Sequence, residues 1–234
     1  MIEIRIRPGE RRIQSSPVGL QLVDEFAGGP VAVRSIPDPG DIPVAPPLGK
    51  VEATIDLQVG AAWVPLDVKP IRTLSGLLVY PGLGRHPFPV NGEPKRHFRI
   101  RLKAEYYRVL YPPGMDAFEF DAPAFNDGAP PPKPTRVPAF LLPAPNYPFP
   151  AETPVLRGQV VASLALMQPV VDAEVADDNR QKVLTDERGE YALPLRLAVR
   201  GTVIPIDVSK GSATKAINVK FPDDLAKSKI IVFP

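Results

Sequence analysis

Apolar and polar residues alternate with a period of two along much of the chain, the pattern of half-buried β-strands. Ile2, Ile4 and Ile6 interleave with Glu3, Arg5 and Arg7, and Pro8-Gly9 predicts a stop. A second strand is predicted over residues 18–26, ended by Gly28-Gly29-Pro30. Residues 51–59 alternate cleanly, Gly60 turns the chain into 61–68, and 77–80 forms a further strand. The clearest strand of the first half is 97–107, with Phe98, Ile100, Leu102 and Ala104 on one face and Arg99, Arg101 and Lys103 on the other.

Beyond residue 154 the strands become short and regular. They are predicted at 155–163, 170–176, 182–185, 191–197, 202–208, 214–220 and 229–233, with a single helical turn near 223–227. Many short strands between turn signals, with no long helix, predict a sandwich. Composition agrees: the 32 prolines cannot sit inside helices, since each interior one costs about 3 kcal/mol. Two segments concentrate them. Residues 36–49 read as a surface loop, too rich in proline for a central strand. Residues 130–150 hold nine prolines together with Phe140, Leu141, Leu142, Tyr147 and Phe149. Extended polyproline-like geometry suits that segment, either as an arm reaching a neighbouring subunit or as a strap packed on its own domain.

The residues from 155 onward carry a resemblance. Gly158 and Val160 lie in a first strand. Pro169, Val170, Ala173 and Val175 follow in a second, and Thr185, Asp186, Gly189, Tyr191 and Leu193 form a Thr-Asp-x-x-Gly-x-hydrophobic hairpin. The segment resembles the carboxypeptidase-regulatory-like family of transthyretin-type sandwiches. The resemblance implies a non-catalytic accessory, scaffolding or binding module in which the matched residues serve the fold. Ala173 and Val175 would point inward, Asp186 would bond nearby backbone amides, and Gly189 would take positive φ. The apolar run at 161–167 departs from the family, where a short turn is usual. Residues 72–79 echo the Thr…Gly-strand element of the second half. The expected architecture is therefore all-β: two small transthyretin- or Ig-like sandwiches, an N-terminal β domain at 1–122 and a second at 155–234, joined by a proline-rich segment at 123–154.

Chemistry is sparse. There are no cysteines, which removes disulfides, thiolate catalysis and thiol-bound metals. The two histidines, His86 and His97, lack the spacing of a metal pair, and the carboxylate pairs Asp177-Asp178 and Asp223-Asp224 read as solvated turns. Serines lack the flanking glycines of a nucleophile elbow, and Gly82-Leu83-Gly84 is too short for a phosphate cradle. Neither an enzyme nor a cofactor is expected. The net charge of +2 gives no reason to expect nucleic acid as a partner. A strip of Arg96, Phe98, Arg99, Arg101, Tyr106, Tyr107, Arg108 and Tyr111 is explained by ordinary strand patterning. With no long apolar run, neither a signal peptide nor membrane insertion is expected, and the protein is placed in the cytoplasm or in a particle assembled there.

The reading that follows is a structural or assembly subunit binding other protein subunits, through Phe140, Leu141, Leu142, Tyr147 and Phe149. By analogy of context it is similar to accessory components of the baseplates and tails of contractile phages and tail-like injection systems. The alternative is a module recognising carbohydrate or a cell-surface ligand through loop aromatics, Trp63, Phe88 and Phe125. Either way, the specific surface is expected in the first 150 residues.

Overall fold

A computed structural model describes residues 2–7, 10–14, 16–28, 47–73, 76–85, 95–125, 135–178 and 181–234. The Pro8-Gly9 stop, most of the loop at 36–49, His86, Phe88 and residues 126–134 of the second proline-rich segment lie outside the described residues.

The fold is mostly β, with 53% of residues in strands and one short helix. It forms a large curled mixed half-barrel sheet and two smaller sheets, not two clear sandwiches. Among the described residues, β1 (Ile2–Arg7) and β2 (Glu10–Gln14) pair only with each other. Nine strands then build the large sheet: β3 (Val18–Asp24), β4 (Val51–Val59), β5 (Ala62–Leu66), β6 (Ile71–Arg72), β7 (Leu77–Val79), β8 (Arg96–Ala104), β9 (Tyr107–Leu110), β10 (Phe118–Ala122) and β11 (Thr135–Pro143). Their order is β5-β4-β8-β9-β11-β3-β7-β6, with β10 also paired to β8.

That order explains the curl. The outermost strands, β5 and β6, are neighbours in sequence, and the connection from Leu66 to Ile71 reaches at most about 18 Å. Laid flat at the usual strand spacing, the same row would hold them roughly 34 Å apart. The sheet must roll until its two edges come within reach. Its buried face carries Leu20, Leu22, Ile55, Phe98 and Ile100, and Phe98 stacks on its cross-strand partner Phe120 at 5.7 Å.

The sandwich expected at 1–122 is thus replaced by the half-barrel sheet, and part of the proline-rich connector is one of its strands. β11 lies between β9 and β3, inside the segment expected to link two domains. Proline's fixed φ suits an extended strand. β11 carries Pro138 and Pro143 and neighbours β9, a strand of only four residues. Two further expectations change. The strand expected over 18–26 stops at Asp24, whose Oδ1 accepts the amides of Phe26 (3.0 Å) and Ala27 (3.1 Å) and so starts a helical turn, α1 (Glu25–Gly28). The strand expected over 97–107 ends at Ala104 and turns at Glu105-Tyr106, so that Ala104 pairs with Tyr107.

By contact the chain divides into two units: Met1–Val23 with Pro43–Lys103 and Val109–Phe140, and Asp24–Ile42 with Ala104–Arg108 and Leu141–Pro234. Within the second, all seven strands expected after residue 154 are present: β12 (Val155–Val161), β13 (Glu174–Asp177), β14 (Lys182–Leu184), β15 (Glu190–Pro194), β16 (Val203–Lys210), β17 (Ala213–Lys220) and β18 (Lys229–Val232). They form a three-stranded sheet, β15-β12-β18, and a four-stranded sheet, β14-β13-β16-β17. One hydrophobic cluster joins them, with Leu156, Val160, Tyr191 and Leu193 from the first and Val175, Ile204, Ile206 and Val208 from the second.

The hairpin residues act as their chemistry suggests. Asp186 Oδ1 accepts the amides of Arg188 (2.9 Å) and Glu190 (2.8 Å), and Gly189 has φ +72°. Thr185, fully buried, accepts the Ala173 amide at 2.8 Å and donates to the Val170 carbonyl at 2.6 Å. Gly158 is required by a close approach, because a Cβ there would sit 2.1 Å from the Lys229 carbonyl oxygen and 2.5 Å from the Tyr191 hydroxyl.

Candidate functional site

Three places concentrate functional groups. The first is the polar face of β4, β5, β8 and β10. Asp56, only 4% exposed, accepts Arg99 Nε and Arg101 Nη2 on one oxygen, each at 2.7 Å. The Arg99 guanidinium lies 4.6 Å from the centre of the Trp63 ring, a cation–π contact, and the His97 ring is 5.6 Å from Trp63 on the same side of the sheet. His97 faces two carboxylates, Asp121 at 2.7 Å from Nδ1 and Glu119 at 3.1 Å from Nε2. A ring bonded to carboxylates through both nitrogens is the imidazolium. The bonds to Asp121 and then Glu119 accordingly raise its pKa above the ordinary histidine value.

These distances decide what the face can do. The cationic stripe of β8 is flanked by Asp56 on one side and by Glu119 and Asp121 on the other, so it offers no net positive groove. The two carboxylates hold opposite nitrogens of His97 and cannot converge with it on one ion. Among the described residues no group of three or more His, Asp or Glu is placed to hold a metal. The face is an internally neutralised ladder of ion pairs lying over a tryptophan.

The second place is Asp24 in the other unit. Besides the two amides on Oδ1, its Oδ2 accepts the hydroxyls of Tyr107 (2.8 Å) and Tyr147 (3.2 Å). Burial, followed by the Asp24 charge, pushes the Tyr147 hydroxyl up to about 12. Phe26 packs edge-on against Tyr147 and Phe149, and Arg196 lies over its ring while donating to the Phe26 carbonyl at 2.6 Å. Such a fully bonded carboxylate inside an aromatic cluster anchors the chain.

No family model matches the sequence, and no curated protein or solved structure matches it significantly. Function must therefore be argued from the surface itself.

The residues expected to bind a partner are largely committed inside the chain. Leu141, Leu142 and Tyr147 are buried, and only the half-buried Phe140 and Phe149 retain accessible surface. Of the loop aromatics, Trp63 is half-buried beneath Arg99. Phe125 is buried in a bridge to Arg85, its amide bonded to the Gly84 carbonyl at 3.1 Å. Phe88 lies outside the described residues.

The third place was missed by sequence reasoning. Two loops of the second unit expose aliphatic side chains. After β12, Leu164, Leu166 and Met167 project from a loop closed at its base by the Val161–Pro169 bridge and by the Ala162 amide bonding the Gln168 carbonyl at 2.8 Å. After β15, Leu197 and Val199 project from two consecutive turns, with Val203 beside them. Leu166 is 77% exposed, and Leu197 and Val199 are 63% and 65% exposed. A signal existed: the apolar run 161–167 was the departure from the family pattern. Residues 195–197 were instead absorbed into the end of a strand.

Proposed function

We propose that this chain is a non-catalytic structural subunit of a multi-protein assembly. In this reading the second unit is a transthyretin-like sandwich of the carboxypeptidase-regulatory kind that serves as the docking module. The observation that carries it is the hydrogen-bonded loop displaying Leu164, Leu166 and Met167. Exposed apolar groups this concentrated mark an interaction site, and Met167 is held there at φ 47°. A non-glycine residue in the left-handed region costs about 1–2 kcal/mol, so the shape of this loop is maintained against a local penalty. The ion-paired face around Asp56 supports the same reading, since its charges are consumed in rigidifying a sheet. A component of a contractile tail or tail-like injection system, assembled in the cytoplasm, is the context that suits such a subunit.

Carbohydrate recognition through Trp63 is the weaker alternative, because Arg99 covers a face of the indole that a sugar ring would need. The experiment is fractionation of native lysate with the tagged chain. It should sediment with a particle much larger than 25.4 kDa, and Leu166→Asp should return it to the light fractions. A light monomer in lysate, together with saturable glycan-array binding abolished by Trp63→Ala, would overturn the assembly reading.

A further inference from the structure

Every element around the His97 ring contributes to its surroundings. β10 supplies Asp121 to Nδ1 at 2.7 Å and Glu119 to Nε2 at 3.1 Å, and β5 supplies the uncharged Trp63 ring at 5.6 Å. Along its own run, Lys95 and Arg99 lie two residues to either side. The carboxylates of β4 are engaged elsewhere, Asp56 by Arg99 and Arg101 and Glu52 by Lys50.

Holding both β10 carboxylates requires the imidazolium. A neutral ring keeps a single N–H, and the shorter bond, to Asp121, retains it. Nε2 then presents a lone pair to the Glu119 carboxylate, and the two repel. Glu119 is left charged and without that donor, but a cation stands directly opposite: Glu119 and Arg99 are cross-strand partners in the β8–β10 ladder, a position that brings Cβ atoms within about 5 Å. While His97 is charged, Arg99 turns away from that partner, with Nε on Asp56 and the guanidinium 4.6 Å from the centre of the Trp63 ring. Its departure would not strand Asp56. The same carboxylate oxygen also accepts Arg101 Nη2 at 2.7 Å, so this buried charge keeps a partner.

We propose that the proton on His97 is a switch that sets whether Arg99 covers the indole of Trp63. With the ring protonated, Glu119 and Asp121 clasp it and Arg99 lies against Trp63. With the ring neutral, Glu119 turns to Arg99, the guanidinium crosses β8 towards β10, and one face of the indole opens to solvent. The two states differ in the partner of one carboxylate, while the backbone ladders stay as they are. The raised pKa of His97 gives the sign: cover is present at acid pH and lost as pH rises through the folded value. The obstacle that Arg99 presents to a ligand stacking on Trp63 is therefore conditional on pH. The switch goes beyond the assembly reading and does not depend on it.

Acrylamide quenching of Trp63, the chain's single tryptophan, tests the switch in the full chain between about pH 5 and 9. It is read as the bimolecular quenching constant, so that direct quenching by the imidazolium drops out. In the parent the constant should rise roughly twofold or more in one step, with a midpoint above about 6.5. Glu119→Gln should hold it low throughout, because the amide can bond the ring in either protonation state and has no charge to hand over. His97→Leu should hold it high throughout. An unchanged far-ultraviolet spectrum across the range separates uncovering from unfolding. A flat profile in the parent, a step that survives Glu119→Gln, or a step that coincides with loss of the β spectrum would overturn the switch. The assembly reading is judged separately by the lysate sedimentation, which none of these outcomes alters.

Discussion

Removing Asp56 tests whether the polar face is a stabilising ladder. Its carboxylate is almost entirely buried and is the acceptor for two arginines, of which Arg99 is 17% exposed and Arg101 43% exposed. Breaking a fully buried ion pair from one side typically costs about 3–5 kcal/mol, because the remaining charge is left uncompensated. Arg101 can turn to water and Arg99 retains Trp63, so Asp56→Ala should cost about 2–3 kcal/mol, at or just below the low end of that range. Asp56→Asn keeps an acceptor and should cost about half as much. The double variant Asp56→Leu/Arg99→Leu removes both charges, and the cycle should show a coupling of at least about 1.5 kcal/mol. Trp63 is the chain's single tryptophan and touches Arg99, so its fluorescence in urea reports unfolding at this place. An Asp56→Ala cost below about 0.5 kcal/mol, or strictly additive single and double variants, would refute the reasoning.

Three further outcomes follow from the same structure. His97 has a raised pKa when folded, so its contacts stabilise fully below the ordinary histidine value near 6.5 and lose that contribution as pH rises through the folded value; Trp63 emission should titrate with a midpoint above 6.5 that Asp121→Asn moves down, and a midpoint at or below 6.5 in the parent would contradict the bridged imidazolium. Tyr191 is fully buried, its hydroxyl has no hydrogen-bond partner among the described residues, and burial raises its pKa; Tyr191→Phe should leave stability within about 1 kcal/mol of the parent or improve it, and a larger loss by urea denaturation would reveal a further partner. Gly158→Ala drives a methyl into the Lys229 carbonyl and should cost more than about 3 kcal/mol, measured as a fall in the thermal midpoint of the second unit.

The later strands were legible because each is short, alternating and bounded by a turn residue whose chemistry acts locally: Asp186 and Gly189 close the same hairpin in sequence and in space. In the earlier half the strands at 2–7, 51–59, 62–66 and 77–79 were legible too, but other features were not, for identifiable reasons. Glu105-Tyr106 turns the chain without glycine, proline or asparagine, so the alternation of β8 runs unbroken into β9. β11 was hidden by the proline rule for central strands, under which a run holding Pro138 and Pro143 reads as a connector. Nothing local reveals that β5 and β6 are opposite edges of one sheet. That fact lives in the strand order, and only then does the short connection between them demand a curl. The Asp56 ladder was half visible: the arginine stripe of β8 could be read directly, but its carboxylates come from β4 and β10, forty residues upstream and twenty downstream at about those separations.

The distribution of spent and unspent groups argues where recognition resides. A buried ionised group must be paired, and a large aromatic gains most by burial, so residues that look functional in a sequence are often those the fold consumes first. Trp63, His97, Arg99 and Arg101 are engaged by one another and by carboxylates. Tyr147 and Phe149 are engaged around Asp24. Aliphatic side chains that remain exposed in hydrogen-bonded loops are the opposite case, because ordinary folding would bury them and here the backbone fixes them outward. In the second unit those exposed loop side chains are Leu164, Leu166, Leu197 and Val199, while Val59, Val64 and Ile71 are exposed on strands of the first. The aromatics of the proline-rich segment serve as internal fastening, and substituting Phe149 should lower stability in urea without altering the lysate sedimentation that Leu166 is proposed to govern.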